Sequence, residues 1–252
     1  MDAVASLDKR PHAADVPRAR IGLIIPSVNS MSEPQFNHYA PPGLGVHVAR
    51  ARVAGQWKRP LPQMADEITL SAQLLSDVSP TLIVFHCTDT TMTQGPQGEG
   101  KILDIVKDAT GIDAVATSRL VLEALQALGI KKLVLLSPYT SNKAVIDYLA
   151  ATGHTVLHDV ALGLKAHEFA DVTPREWIEL AQKHDRPEAD GIFLSCTNTT
   201  QIDAVAEIER RLGKPVVNSN QAVLWGSLKR LRGKLGTLPA MPQLGSLMQH
   251  LN

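Results

Sequence analysis

Aromatic residues make up only 4% of this 252-residue chain, and its three tryptophans, Trp57, Trp177 and Trp225, are scattered. No stacking surface for nucleic-acid bases is legible in such a pattern. Charge of one sign is not in excess either, because 25 Lys and Arg balance 25 Asp and Glu. That balance lacks the electrostatic footprint of a nucleic-acid or membrane partner and leaves a small molecule as the expected ligand. No stretch approaches the roughly 18 apolar residues of a membrane span, and the opening MDAVASLDKRPHAADVPRAR lacks the apolar run of a signal peptide. A cytoplasmic protein is expected. Cysteine is the scarcest informative residue, with only Cys87 and Cys196 present. Two are too few for a disulfide framework, and no Cys-x-x-Cys or His-Glu-x-x-His spacing marks a metal site. Both are expected to be free thiols, with no metal bound.

A hydrophobic fraction of 44% and a charged fraction of 20% are those of an ordinary globular protein with a mostly aliphatic core. Short Val, Ile and Leu runs alternate with longer amphipathic segments, the pattern of βα units on a buried parallel sheet, so the class is α/β. Strands are predicted at 21–26, 46–53, 82–87, 114–116, 132–137, 155–161, 191–196 and 215–217. Helices are predicted at 64–78, 98–109, 118–128, 140–151, 174–184, 200–212 and 219–232. Gly129, Gly153 and Gly213 read as helix stops. Residues 1–18 mix charge, Ala and Pro without periodicity and read as a flexible tail.

Laying residues 132–232 over 21–128 exposes an internal repeat. Each half opens on a strand that ends in a Pro/Ser turn, IIPSVN in the first and LLSPYTSN in the second. Each then reaches a buried strand that ends in cysteine: IVFHCTDTT at 83–91 aligns with IFLSCTNTT at 192–200. The expected architecture is two pseudo-symmetric α/β halves, each a small parallel four-stranded sheet flanked by helices. Residues 19–118 with 219–252 would form one half and 119–218 the other, the terminal helix being exchanged. Sites in open parallel sheets form beyond the carboxyl ends of the strands. Cys87 and Cys196 both lie at such ends, so they are expected to face each other across a cleft between the halves.

A thiol at a strand-to-helix junction lies near oriented N–H groups and the positive end of a helix dipole, which favour thiolate. The neighbouring Thr88, Thr197 and Asn198, with backbone amides, offer donors suited to carboxylate oxygens. A lone buried cysteine is often a small hydrophobe, but the chain's only two occupying equivalent repeat positions favour paired chemistry.

With those residues in place, the chain resembles the aspartate/glutamate racemase superfamily, in the branch of maleate cis-trans isomerases and arylmalonate decarboxylases. The resemblance spans about residues 20–232 and rests on IGLIIPSVNSMSEP, the first cysteine loop, SPYTSN and SCTNTT. It implies a cofactor-free site acting on a small carboxylate or dicarboxylate. In decarboxylases of this branch the first position resembles glycine and only the second is cysteine, whereas isomerases and racemases have both. Carried over by position, Cys87 would be the nucleophile and Cys196 the acid. Asn29, Tyr139 and Asn198 would bind substrate, alongside Thr88 and Thr197. Ser27, Asp89 and His167 are further candidates, and a homodimer or higher homo-oligomer is plausible. Asp89 departs from the branch pattern. A carboxylate two residues from the nucleophile would repel an anionic substrate, so it is expected to point away from the cleft or to mark a different substrate. His167 stands where isomerases carry an asparagine and also reads as a surface histidine. The rivals to an isomerase or racemase are a decarboxylase of substituted malonates and a non-catalytic carboxylate-binding protein.

Two other signals are discounted. The GPQGEGKI stretch at 95–102 nearly spells a phosphate loop, but Ile102 stands where a hydroxyl should be and Pro96 removes an amide donor, so it reads as the approach to a helix. His86 and Cys87 are adjacent on a strand and face opposite ways, so they do not share a metal ion.

Overall fold

The computed structural model describes residues 16–251. The first sheet is built from β1 (Ala19–Pro26), β2 (Leu44–Ala51), β3 (Leu82–Phe85) and β4 (Ala114–Ala116), the second from β5 (Lys132–Ser137), β6 (Thr155–Ala161), β7 (Gly191–Leu194) and β8 (Val216–Asn218). Both sheets are parallel and share one topology, β2-β1-β3-β4 and β6-β5-β7-β8. The expected duplication is therefore a duplication of fold.

Strand periodicity places the cores. Ile21, Leu23 and Ile25 of β1 and Leu133 and Leu135 of β5 join one central core between the sheets. The alternate residue Ile24 turns to an outer core on the first sheet, and Val134 and Leu136 turn to another on the second. A side-chain period of two feeding two apolar layers is what parallel strands covered on both faces require.

The helices are α1 (Ser32–Tyr39), α2 (Ala65–Ser76), α3 (Thr88–Thr93), α4 (Gly95–Thr110), α5 (Thr117–Ala127), α6 (Lys143–Ala151), α7 (Pro174–His184), α8 (Val205–Leu212) and α9 (Ser219–Leu235). Local chemistry sets several ends. Thr173 and Glu176 form a capping box on α7 with Pro174 in the first turn, and Asn218 and Gln221 form another on α9. Gly213 closes α8 at φ +64°, a conformation that costs glycine little. α5 and α9 pack together at the centre of the molecule, where a Cβ on Gly226 would lie 2.5 Å from Leu120 Cδ2. α9 touches β1 as well as β8, and α5 touches β4 as well as β8, so both helices bridge the two sheets.

Several expectations need correction. Strands β3 and β7 end two residues before their cysteines, because Cys87 and Cys196 belong to the turns that follow. The helix expected over 200–212 divides into a 3-10 segment, Gln201–Ala204, and α8. Neither α1 nor α3 was expected. The helix expected from residue 98 starts at Gly95, so the GPQGEGKI stretch, read as the approach to a helix, lies within α4. Residues 1–15 of the expected tail lie outside the described residues, and order begins before residue 19, since Arg18 donates to the carbonyls of Gly43 and Pro42.

Candidate active site

A cavity of about 530 Å³ opens between the two halves at the carboxyl ends of the strands. Cys87, Thr88 and Asp89 after β3, Asn29 after β1, Tyr139 after β5, and Cys196, Thr197 and Asn198 after β7 all line it. Ser27 and His167 do not line it. The backbone of Ser27 is spent on β2, its N–H donating to Ala51 O at 2.8 Å and its carbonyl accepting from Arg50. His167 is exposed.

Cys87 caps α3. Its backbone is extended at φ −152°, and Sγ accepts the Thr90 N–H at 3.4 Å. Thr90 Oγ1 lies 3.0 Å from Sγ and 2.9 Å from the Val53 carbonyl. A hydroxyl has one hydrogen to give. With that hydrogen on Val53, the resting Cys87 thiol is the donor to Thr90. Cys196 is built differently. It adopts φ +154°, where side-chain-bearing residues are uncommon, and its Sγ accepts the Asn198 N–H at 3.3 Å, with Tyr139 beside it in the cavity lining.

The backbone N–H groups of Thr90 and Asn198 favour thiolate as expected, but burial outweighs them. Burial pushes the Cys87 thiol up to about 11, and Asp89 adds to the rise against Thr90 and Lys58. Burial likewise pushes Cys196 up to about 12, opposed by the Asn198 N–H and the Tyr139 hydroxyl and reinforced by Cys87 and Asp89. Desolvation of the anion outweighs a few donors when both thiols are buried. At neutral pH the resting site holds two thiols.

Of the two expectations for Asp89, that it points away from the cleft or that it marks a different substrate, the first fails. Asp89 lines the cavity and forms an ion pair with Lys58, with Nζ at 2.8 and 2.9 Å from its two oxygens. The sequence reading missed Lys58. Its one sequence signal was the need for a cation opposite a carboxylate so near a thiol, and that need names no residue.

Polar groups tie the half-sites together across the cleft. The Asn29 amide donates to Thr197 O at 3.2 Å and Oγ1 at 3.1 Å, while its Oδ1 accepts the N–H groups of Met31 and Ser32. Asn29 is thus a turn-former and a lining residue at once. Asn198 does not cap a helix: its Oδ1 accepts the Ser30 N–H at 2.8 Å, and its Nδ2 donates to the Ala166 carbonyl at 3.1 Å. Thr88 donates to Ser219 Oγ at 2.8 Å, and the same oxygen accepts the Cys196 N–H at 3.3 Å. Beneath this layer His86 is fully buried, its Nε2 2.9 Å from Asn220 Oδ1, and Asn220 Nδ2 donates to the Thr197 carbonyl at 3.1 Å. Burial lowers the His86 pKa to about 3, so the ring is neutral, with the hydrogen on Nε2 facing the amide oxygen. Among the described residues no three His, Cys, Asp or Glu side chains converge as metal ligands, and no helix is long and apolar enough to cross a membrane.

Fold and site together define a two-lobed α/β enzyme in which each lobe brings one cysteine to a shared cavity. The comparisons place it more narrowly. A family model described as arylmalonate decarboxylase matches residues 21–242. The arylmalonate decarboxylase of Bordetella bronchiseptica is 32% identical over 165 residues, 64% of this chain and 68% of that protein. The maleate isomerase of Geobacillus stearothermophilus is 26% identical over 246 residues, 91% of this chain and 96% of that protein. Among solved structures, a cysteine-to-serine mutant of the Nocardia farcinica maleate cis-trans isomerase, with a covalently bound succinylcysteine intermediate, superposes with a TM-score of 0.81 at 23% identity, covering 91% of this chain and 98% of that one. The chain belongs to the arylmalonate decarboxylase family.

Proposed function

We propose that this protein is a cofactor-independent isomerase of a small carboxylate, of the maleate isomerase kind, working through Cys87 and Cys196. The observation that carries the reading is that the chain's only two cysteines, at equivalent positions of a duplicated fold, line one cavity from opposite halves. Opposed groups on two faces of a substrate are what addition and protonation across a double bond require.

Cys87 loses its proton to solvent and its thiolate adds to one alkene carbon. The π electrons pass into the conjugated carboxylate, and the Cys196 S–H delivers its proton to the adjacent carbon. The former double bond is now single and turns. The Cys196 thiolate then takes the proton back, the C–S bond breaks, and the trans isomer leaves. Cys87 is assigned the nucleophile by position, as the first cysteine of the repeat, and burial raises both thiols. Tyr139, Thr197 and Asn198 line the wall beside Cys196 and suit the substrate carboxylate, the Asn198 backbone N–H turning from Cys196 Sγ to a carboxylate oxygen as the ligand binds. On a chiral acid the same pair would remove a proton from one face and return it to the other, which is racemisation. The succinylcysteine in the Nocardia farcinica enzyme is the adduct this route predicts.

Decarboxylation of a substituted malonate is the second reading, favoured by the 32% identity to an arylmalonate decarboxylase. In that case Cys196 protonates the enediolate and Cys87 only shapes the pocket. Incubation in D2O with maleate, a substituted malonate and chiral α-substituted acids, followed by NMR, separates the readings. Isomerisation or deuterium uptake that is lost in both Cys87→Ser and Cys196→Ser supports the two-thiol enzyme. Release of CO2 that survives Cys87→Ser selects the decarboxylase, and saturable binding without turnover selects a binding protein.

A further inference from the structure

Lys58 and Asp89 meet inside the cavity and take no part in the thiol steps. Their hydrogen bonds can be counted. Lys58 Nζ reaches Asp89 Oδ1 at 2.8 Å, Asp89 Oδ2 at 2.9 Å and Thr93 Oγ1 at 2.9 Å. An ammonium has three N–H donors, so all are engaged. Asp89 Oδ1 accepts from Lys58 and from Thr93 Oγ1 at 3.3 Å, whereas Oδ2 accepts from Lys58 alone. Each carboxylate oxygen takes about two donors, so Oδ2 keeps a vacant lone pair. Although neutral as a pair, the two side chains present an acceptor to the cavity and no donor. The same polarity is felt deeper in the site, where Asp89 raises the proton affinity of Cys87, Tyr139 and Cys196.

The repeat sharpens the point, because Asp89 occupies the position of Asn198 in the other half. The Asn198 amide is spent on Ser30 and Ala166. The two ends of the cavity therefore differ. Donors surround Cys196, and an acceptor stands beside Cys87. A ligand with two carboxylates would set its second one against Asp89 and find no free N–H on Lys58.

We propose that the cavity selects a small acid with one carboxylate and, at its other end, a hydrogen-bond-donating nitrogen, carboxamide or ammonium, in place of a second carboxylate. The inference rests on the reading of this cavity as a small-carboxylate site. Equilibrium binding tests it on the full chain, by calorimetry with maleate, its monoamide maleamate and cis-4-aminobut-2-enoate. Maleamate has the shape of maleate with one carboxylate made neutral and donating. It is expected to bind about tenfold tighter than maleate, since a second carboxylate set against the partly exposed Asp89 acceptor meets like charge and no donor. Asp89→Asn is expected to reverse that order by removing the anion and freeing N–H groups on Lys58. Lys58→Gln, which keeps the acceptor, is expected to retain the preference for a donor, and the relative affinities of the amide and the amine say which nitrogen the site takes. Maleate binding as tightly as maleamate, an order unchanged by Asp89→Asn, a preference abolished by Lys58→Gln, or no saturation by either nitrogen ligand would overturn the proposal. A ranking that stands while Cys87→Ser keeps full turnover sinks the two-thiol mechanism and leaves this inference intact. Thiol-dependent turnover of maleate with no such ranking does the reverse.

Discussion

The loops after β3 and β7 carry nearly the same letters, Cys-Thr-Asp-Thr-Thr and Cys-Thr-Asn-Thr-Thr, and fold differently. Cys87 is extended and caps a helix, and its thiol donates to Thr90. Cys196 takes a strained backbone at φ +154° and enters a turn that reaches a 3-10 segment only at Gln201, with the Asn198 N–H on its sulfur. Beside the first thiol stands a charged pair, and beside the second stand neutral donors. Duplication supplies two thiols, and the divergence of their surroundings makes them chemically distinct. One thiol can be nucleophile and the other acid only when something distinguishes them.

The severest test of that asymmetry is to remove each sulfur in turn. Cys87→Ser and Cys196→Ser are each expected to lower turnover by about 10³-fold or more, as losing a nucleophile or its partner acid does. Intact-protein mass spectrometry should then find a substrate adduct in Cys196→Ser and none in Cys87→Ser. An adduct in the opposite variant would exchange the roles of the halves.

Next in size is the pH response. With Cys87 held at about 11 by burial, the reactive thiolate is a minor species at neutrality. The value of kcat/KM should climb about tenfold per pH unit from about pH 7 to 10. A plateau below pH 9 would mean that Cys87 is not the ionising nucleophile. Stability moves the other way. A thiol held at about 11 in the fold against 9.0 for its ordinary value stabilises the protein fully below pH 9 and loses that contribution as pH rises through 11. Chemical denaturation across pH 8 to 11 should show the decline, and Cys87→Ser should lessen it, leaving the share of Cys196, whose thiol burial also raises.

A smaller effect probes the second half alone. Tyr139→Phe removes the hydroxyl that offsets the burial of the Cys196 thiolate. It is expected to cost about 10–100-fold in kcat, with a smaller change for Cys87 alkylation by a neutral reagent. Smallest is a swap at the equivalent positions. Asn198→Asp makes the second loop read like the first, but it sets a carboxylate where an amide donates to the Ala166 carbonyl. Loss of about 1–3 kcal/mol is expected, read as a fall in melting temperature of several degrees.

Much of this was legible in the residues. Val, Ile and Leu runs gave the strands to within two residues, since an apolar run bounded by turn residues reports directly on a buried parallel strand. The repeated Cys-Thr motif gave the pairing of the thiols. Helix α3 was not legible, because TDTTMT is dominated by β-branched threonines of low helix propensity. It forms because Cys87 caps it and because Thr88, Thr90, Thr91 and Met92 are buried. Helix α1, eight residues long with a single Phe, offered too little periodicity. Lys58 was invisible for another reason. It lies in a loop 31 residues before its partner Asp89, and no local pattern links the two.

By itself, the amino-acid sequence determined that the chain is α/β, that its two halves repeat, and that the two thiols sit at equivalent strand ends. Those properties follow from side-chain periodicity and local turn chemistry, which near neighbours in the chain control. Only the tertiary structure decided that both thiols rest protonated, that Asp89 faces the cavity under Lys58, and that Asn29 and Asn198 bind the halves across the cleft. Desolvation and charge pairing depend on what packs over a group. Asn29 meets Thr197 from 168 residues away, so chain folding had to choose that neighbour.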